Sequence, residues 1–309
     1  MKYLRWLSAG FAALAACGYM QNAQALVIDL HFALQGERCN ICSRGRFEAP
    51  ALTSGGGSVE GVFNAAADTW ESALNDNRHF RITVGWSNLG SGIVAEASFA
   101  GTDLFNEIVL STRFRHFADP TPLQNEEFGL YTETAADFGG GLINSGRVFT
   151  TPLHLDIDLL TTALHEIGHV LGDPSDHGQN QNVFNINVFN ILDGPFAGPQ
   201  LPCADNECSH LRLPNALMNP FAGPGIGRTL ISGADLLFVA TNGGFQDFDQ
   251  SLIRVAAVPI GGTLWLCLLA FPVLLVFAGS TQRCRIYPAP RCAKDQPIEK
   301  SLKDSDDSE

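Results

Sequence analysis

The sequence has little basic charge. It contains 19 lysines and arginines against 32 aspartates and glutamates, so its formal net charge is −13. No basic patch is visible along the chain, which argues against a nucleic-acid partner. Internal repeats are also absent, which argues against a solenoid or another repeat architecture. The length of 309 residues is enough for one large domain or two small ones.

Charge is also missing from residues 260–279, a run of 20 residues near the C-terminus. At about 1.5 Å per helical residue, this length matches the roughly 30 Å hydrocarbon core of a bilayer. Arg283 and Arg285 follow the run, so the positive-inside rule places the C-terminus in the cytoplasm. We therefore predict a transmembrane or sorting segment over residues 258–285. An acidic disordered tail is predicted over residues 286–309.

The N-terminus has the pattern of a secretory signal. Two basic residues precede a mostly apolar stretch over residues 6–17, and Ala23-Gln24-Ala25 forms an A-x-A cleavage site. This pattern predicts a signal peptide over residues 1–25. A competing pattern, Leu14-Ala15-Ala16-Cys17, matches a bacterial lipobox and would lead to lipidation of Cys17. Both interpretations predict that the domain over residues 26–254 is exported.

The chain contains an H-E-x-x-H motif, His165-Glu166-Ile167-Gly168-His169. Residues four apart share a helix face, so His165 and His169 can direct two imidazoles to one metal ion. Glu166 lies beside them, where it can polarise a water molecule on that metal. Four apolar residues lie nearly opposite the histidines: Leu160, Leu164, Ile167 and Leu171. This helix is therefore expected to face the core on one side and a cleft on the other.

Two further features accompany the motif. Gly172 stands where a zinc-binding helix could end, and Ala216-Leu217-Met218-Asn219-Pro220 looks like the Met-turn of the metzincin zinc peptidases. Together, H-E-I-G-H-x-L-G and A-L-M-x-P resemble the matrixin branch of that family. The resemblance implies an α+β zincin fold with a mixed twisted sheet, a zinc helix and a C-terminal helix. It also implies zinc and structural calcium as cofactors, and Met218 as an apolar floor beneath the site.

The third metal ligand departs from the family pattern. Metzincins have H-E-x-x-H-x-x-G-x-x-H, but position 175 of this chain is Ser175. His177 comes two residues later, and a two-residue loop extension can return its imidazole to the metal, so His177 is the predicted third ligand. Asp176 is the second candidate, because some metzincin relatives use aspartate there. His210, just before the Met-turn, is the third candidate.

The resemblance implies an exported zinc-dependent endopeptidase with Glu166 as the general base and a protein or peptide as substrate. The substrate would bind as an added strand along a sheet edge, for which residues 93–99 are the candidate. The alternative is a non-catalytic surface or extracellular-matrix structural protein that keeps the zincin fold. Glu166 favours the enzyme, because an inactive site has no chemical need for that carboxylate. The shifted third ligand favours the structural protein.

The C-terminal segment carries a second resemblance. Val258-Pro259, the apolar run and the following arginines resemble the PEP-CTERM sorting tails of Gram-negative bacteria. Such tails are cleaved by a processing enzyme, which would be a partner, and the protein is released to the cell surface or matrix. Here Ile260 replaces the expected acidic or small residue, and the chain continues well past the basic cluster. A single-pass membrane anchor explains the same features, so both interpretations stay open.

Four of the eight cysteines lie in the predicted exported region: Cys39, Cys42, Cys203 and Cys208. Disulfides are the usual state of cysteines outside the cytoplasm. We predict one local disulfide within Cys39-Asn40-Ile41-Cys42 and another between Cys203 and Cys208. Pairing across the two couples is the open alternative.

Periodicity predicts the main elements of the exported region. Alternating apolar residues predict strands over residues 26–32, 80–86 and 93–99, and an apolar stripe predicts a helix over residues 59–74. The polar, glycine-rich stretch 121–147 is expected to be a surface loop.

Two helix starts are predicted as well. Asp156 or Asp158 is expected to cap the helix that carries the H-E-x-x-H motif, since aspartate accepts hydrogen bonds from the first backbone amides of a helix. Ser232-Gly233-Ala234-Asp235 resembles a capping box that opens a helix after the Met-turn.

Overall fold

The computed structural model describes residues 25–98, 106–139, 141–151, 156–172, 184–185, 188–191, 196–205, 208–220, 225 and 227–253. The chain divides into two compact units, Met1–Ala256 and Ala257–Glu309. The second unit, and with it the predicted segment 258–285 and the acidic tail, lies outside the described residues, as do residues 1–24 of the predicted signal peptide. Within the described part of the chain, no helix has both the length and the apolar character needed to cross a bilayer.

The described residues form a mixed α/β fold of three α-helices, thirteen mostly short strands and one 3-10 helix at Gln250–Leu252. The helices are α1 (Val59–Ala73), α2 (Leu159–Leu171) and α3 (Gly233–Asn242). The strands are β1 (Val27–Phe32), β2 (Thr53–Ser54), β3 (His79–Ser87), β4 (Ala95–Ser98), β5 (Asn106–Ser111), β6 (His116–Phe117), β7 (Tyr131–Asp137), β8 (Leu142–Phe149), β9 (Ile157–Asp158), β10 (Phe184–Asn185), β11 (Val188–Asn190), β12 (Gln200–Pro202) and β13 (Arg228–Leu230).

The largest sheet has four strands in the order β1-β3-β5-β4. Strands β1, β3 and β5 run parallel, whereas β4 pairs antiparallel with β5 at the edge. All six residues of β5 are buried, as expected for an inner strand covered on both faces. The predicted strands over residues 26–32 and 80–86 are confirmed, and the edge position predicted for residues 93–99 is confirmed for Ala95–Ser98.

The prediction of a surface loop over residues 121–147 is wrong for its second half. Strands β7 and β8 form an antiparallel hairpin there, and β8 also pairs with β13. The glycines belong to the hairpin turn, where Asp137 Oδ1 accepts hydrogen bonds from the backbone amides of Gly139 and Gly141. No side chain of β7 is fully buried. The sequence of this strand therefore lacks the alternation of apolar and polar residues by which strands are predicted.

Helices α1 and α2 pack together in the core beside the large sheet. The predicted helix over residues 59–74 is confirmed as α1. Ser58 is its N-cap, and the Ser58 side chain accepts the backbone amide of Gly61. Trp70 is fully buried, and its indole Nε1 donates to the backbone carbonyl of Leu164 at 2.9 Å. A buried indole N–H needs a hydrogen-bond partner, and here the partner lies on the other helix, so the bond links α1 to α2.

His116 on β6 is a buried histidine with an expected acid sensitivity. Its ring packs edge-on against Trp86 and is 0% exposed, and neither ring nitrogen forms a hydrogen bond. Burial lowers its pKa from 6.5 to about 4, against the opposing influence of the Ser111 backbone and the Asp156 charge. Above pH 6.5 the ring is neutral in both folded and unfolded protein. As pH falls from 6.5 to 4, the unfolded chain binds the proton first, so stability falls.

We expect this histidine to cost about 3 kcal/mol of unfolding free energy across that pH window, at about 1.4 kcal/mol per pKa unit. Urea unfolding at pH 7 and pH 4.5 measures the loss. His116→Leu should show a smaller loss than the wild-type protein, since it removes the titrating group. The comparison is His31→Leu, at a 63% exposed histidine that pairs with Glu37 at 3.1 Å, which should leave most of the loss in place. Equal pH dependence in all three proteins would contradict the assignment.

Candidate metal centre

Helix α2 starts at a buried ionic cluster. Asp158 is its N-cap, and the side chain accepts the backbone amide of Thr161 at 3.0 Å, which confirms Asp158 as one of the two predicted caps. Arg228 Nη2 lies 3.0 Å from Asp158 Oδ1 and 2.7 Å from Asp119 Oδ2. The Arg228 and Asp119 side chains are 0% exposed and that of Asp158 is 2% exposed. The cluster therefore joins β13 to the start of α2 without access to solvent.

The imidazoles of His165, His169 and His210 converge on one point. His169 Nε2 lies 3.0 Å from His165 Nε2 and 3.1 Å from His210 Nε2, and one ligand atom from each residue lies within 4.8 Å of the others. Two nitrogens bound tetrahedrally to one zinc ion at about 2.0–2.1 Å lie about 3.3 Å apart. The three histidines could therefore hold a metal ion. Imidazole donors suit zinc, copper, iron and nickel.

The histidines of α2 are neutral at neutral pH, the state that binds metal. Burial lowers the pKa of His165 to about 4, with the charge of His210 acting in the same direction and the Leu217 backbone opposing it. Burial also lowers the pKa of His169 well below 6.5, assisted by His165 and His210. His165 Nδ1 donates to the Leu217 carbonyl at 2.7 Å, so its Nε2 carries the free lone pair.

Glu166 is buried beside the histidines, between α2 and the edge strand β4. Burial raises its pKa to about 8, and the nearby charge of Glu96 adds to the effect. A hydrogen bond with the backbone of Ala97 on β4 acts in the opposite direction. Burial thus favours the protonated form of Glu166 in the metal-free protein, and the positive charge of a metal ion held by the neighbouring histidines would favour the carboxylate, which is the form that accepts a proton.

A cleft of about 530 Å³ lies over these residues. Residues 92–97, including part of β4, form one wall, and Ser209, His210 and Pro220 contribute to the lining. His165, Glu166 and His169 also line this cleft. The predicted arrangement of α2, with a buried apolar side and a side facing a cleft, is confirmed by this geometry and by the buried Leu160, Leu164, Ile167 and Leu171.

Met218 lies fully buried against α2, as predicted for the turn at residues 216–220. A Cβ at position 168 would lie only 2.7 Å from Met218 Sδ, so Gly168 lets the turn approach the helix. Asp235 holds the turn from α3: its carboxylate accepts the amides of Leu217 and Met218 at 3.0 and 2.8 Å. The predicted capping box of Ser232 and Asp235 is confirmed. The sequence did not indicate that Asp235 also binds the turn.

The third histidine of the cluster is His210, which ranked last among the sequence candidates. His177 and Asp176 lie outside the described residues, so the prediction of His177 stays a prediction. A local signal for His210 was present in the chain, namely its short sequence distance to the turn at residues 216–220. Leu211 N donates to Met218 O at 2.8 Å, so the chain folds back between them. Because Met218 packs against α2, a histidine next to Leu211 lies near the histidines of that helix.

Both predicted disulfides are confirmed. Cys39 pairs with Cys42 and Cys203 pairs with Cys208. Glu107 on β5 anchors the first loop, because its carboxylate accepts the amide and the side-chain nitrogen of Asn40, both at 2.8 Å. The second disulfide closes a short loop that ends two residues before His210. Both pairs are far from the H-E-x-x-H motif in sequence, so the sequence alone did not place either disulfide near the histidine cluster.

Comparison of the chain with protein-family models, with curated proteins and with solved structures finds no match.

Proposed function

We propose that the chain is a zinc-dependent endopeptidase of the metzincin type, with His165, His169 and His210 as the metal ligands. The observation that carries the proposal is the convergence of three imidazoles beside a buried carboxylate, Glu166, at the floor of an open cleft. Three histidine ligands and an open position are typical of catalytic rather than structural zinc sites. The Met-turn packed beneath α2 and the mixed sheet with an antiparallel edge strand support the zincin fold.

Glu166 has the role of general base in this proposal. A bound zinc ion would supply a Lewis acid that makes water more acidic and a peptide carbonyl more electrophilic. The Glu166 carboxylate accepts the proton of the attacking water and then donates it to the nitrogen of the leaving amine. The position of Glu166 suits both steps, because it lines the cleft beside His165 and His169, where a bound metal ion would favour its ionised form.

Strand β4 is the proposed binding edge for the substrate. It lies at the end of the strand order β1-β3-β5-β4, and residues 92–97 line the cleft. An extended peptide can pair with such an edge through backbone hydrogen bonds, which hold the chain without requiring a particular side chain. A peptide bound along β4 passes Glu166, since Ala97 of this strand bonds to that carboxylate. This placement brings a scissile bond next to the base.

The alternative of a non-catalytic structural protein depended on an incomplete ligand set. With His210 beside the other two histidines, a third imidazole is available and that argument loses its basis. Glu166 also lines an open cleft of about 530 Å³. Both features support turnover rather than a purely structural zinc site.

The third-ligand assignment is tested by zinc affinity in His210→Ala, His177→Ala and Asp176→Ala. We expect His210→Ala to weaken binding most, by more than the about 10–100-fold typical of changes outside the ligand set. The reason is geometric: its Nε2 lies 3.1 Å from His169 Nε2. Chelator competition measures the affinity. A larger loss in His177→Ala would return the assignment to the sequence prediction.

We further propose that the domain is exported and either anchored by the segment 258–285 or released after processing of that segment. The signal-like N-terminus and the two local disulfides support export, since disulfides form outside the cytoplasm. Mass spectrometry of the mature protein distinguishes the two forms. A C-terminus at Glu309 indicates the anchor and one near Pro259 indicates processing, whereas an uncleaved cytosolic chain would reject export.

A further inference from the structure

His210 differs from His165 in what holds the ring nitrogen that faces away from the cluster. His165 Nδ1 donates to a neutral backbone carbonyl, that of Leu217, at 2.7 Å. His210 Nδ1 lies 2.8 Å from Asp205 Oδ2, a carboxylate. A carboxylate oxygen can only accept this bond, so His210 carries its proton on Nδ1 and leaves the Nε2 lone pair facing His169. The bond therefore sets the tautomer that metal binding requires.

Asp205 is itself held in place by its neighbours. Ser209 donates to it twice: the backbone amide to Oδ1 and the side-chain hydroxyl to Oδ2, both at 2.8 Å. The Asp205 carbonyl accepts the amide of Cys208 at 3.2 Å, and the Ala204 amide donates to the carbonyl of His210 at 2.9 Å. These hydrogen bonds hold the Asp205 carboxylate beside the His210 ring.

The Cys203–Cys208 disulfide closes the loop that carries Asp205. Both cysteines are buried, at 1% and 4% exposure, and Cys203 also forms a backbone bridge with Leu211. The His210 side chain is 24% exposed and that of Asp205 is 34% exposed, so neither is held by burial in the core. The disulfide and the hydrogen bonds around Asp205 therefore hold the His210 side chain in position, whereas helix packing holds the two histidines of α2.

We propose that Asp205, held by the Cys203–Cys208 loop, is a positioning residue that orients His210 and sets the affinity of the site for its metal ion. The inference rests on the proposed metal site and is independent of whether the site hydrolyses peptides. Partners of this kind keep a histidine ligand in the right orientation and raise its basicity, and their loss typically weakens metal binding by about 10–100-fold.

The test is zinc affinity of the full-length protein, measured by competition with a chromogenic chelator. Asp205→Ala is expected to weaken zinc binding by about 10–100-fold, and Asp205→Asn less, because an amide oxygen can still accept the Nδ1 proton. Asp68→Asn, at an exposed position of α1, is the matched control and should bind as tightly as the wild type. The absorption spectrum of the cobalt-substituted protein should shift in Asp205→Ala, since the ligand geometry changes.

The role of the disulfide is tested in the same assay. Cys203→Ser/Cys208→Ser should weaken zinc binding to a similar extent, whereas Cys39→Ser/Cys42→Ser should leave it unchanged. Adding Asp205→Ala to the Cys203→Ser/Cys208→Ser variant should weaken binding little further, because both changes release the same histidine. Near-ultraviolet circular dichroism checks that each variant is folded, and the nearly isosteric Asp205→Asn provides the comparison if the serine variants are not.

Zinc affinity within twofold of the wild type in both Asp205 variants would overturn the inference, whatever happens to proteolysis. Fully additive losses in the combined variant would overturn the link between Asp205 and the disulfide. A wild-type protein that binds zinc through His210 without cleaving any peptide would remove the proposed function and leave this inference in place. Absence of zinc binding in the wild type would remove both.

Discussion

Glu166→Gln is expected to lower proteolytic activity by about 10²–10⁴-fold, the usual contribution of a general base, while zinc content stays at the wild-type level. The substitution keeps the size of the side chain and removes its ability to accept a proton. Glu166 contributes no atom to the group of His165, His169 and His210, so metal binding should be retained. Cleavage of an unfolded protein substrate and metal analysis of the same preparation measure the two effects separately.

The control for Glu166→Gln is Glu60→Gln, at an exposed glutamate in the first turn of α1, which should change neither quantity. Activity of Glu166→Gln within a few fold of the wild type would contradict the assigned base. Loss of zinc together with activity would show that Glu166 supports the ligands instead. A zinc-loaded wild-type protein that cleaves no unfolded substrate would favour the structural alternative.

Arg228→Met is expected to destabilise the fold by about 3–5 kcal/mol, because removing one partner of a buried ion cluster leaves the others uncompensated. Arg228 is 0% exposed and bonds to Asp119 and Asp158, and its Nη1 also donates to the carbonyls of Pro122 and Gln124 at 3.0 and 2.8 Å. Methionine fills much of the same space without charge. Urea unfolding at neutral pH measures the change in unfolding free energy.

A surface arginine provides the comparison for Arg228→Met. Arg44 is 76% exposed in its ion pair with Glu48, so Arg44→Met should cost less than about 1 kcal/mol. Adding Asp119→Asn and Asp158→Asn to Arg228→Met should recover part of the loss, since both carboxylates are then replaced by neutral amides. An asparagine side chain can also still cap the start of α2. A loss below about 1 kcal/mol in Arg228→Met would mean that the cluster contributes no net stability.

The elements that the sequence predicted correctly depend on residues close together in the chain. Examples are the apolar stripe of α1, the alternation in β1 and β3, and the caps at Asp158 and Ser232. Each of these patterns involves residues only a few positions apart. The pattern failed for β7, whose side chains lack a buried face. That strand forms through backbone pairing with β8, a contact that leaves no hydrophobic alternation to read.

The sequence by itself determined the pair His165 and His169 with Glu166, because a helix places residues four apart on one face. It also favoured the two local disulfides, whose partners are three and five residues apart, and the structure decided against pairing across the two couples. Only the tertiary structure decided that His210 joins the pair, since a separation of 41 positions between His169 and His210 allows many returns of the chain. The same holds for Asp235 beneath the turn at residues 216–220 and for Arg228 at the start of α2. Sequence spacing predicts a contact between two residues when both lie on one helix, strand or tight turn. For residues joined by a long irregular segment, the packing of the whole core decides whether they meet.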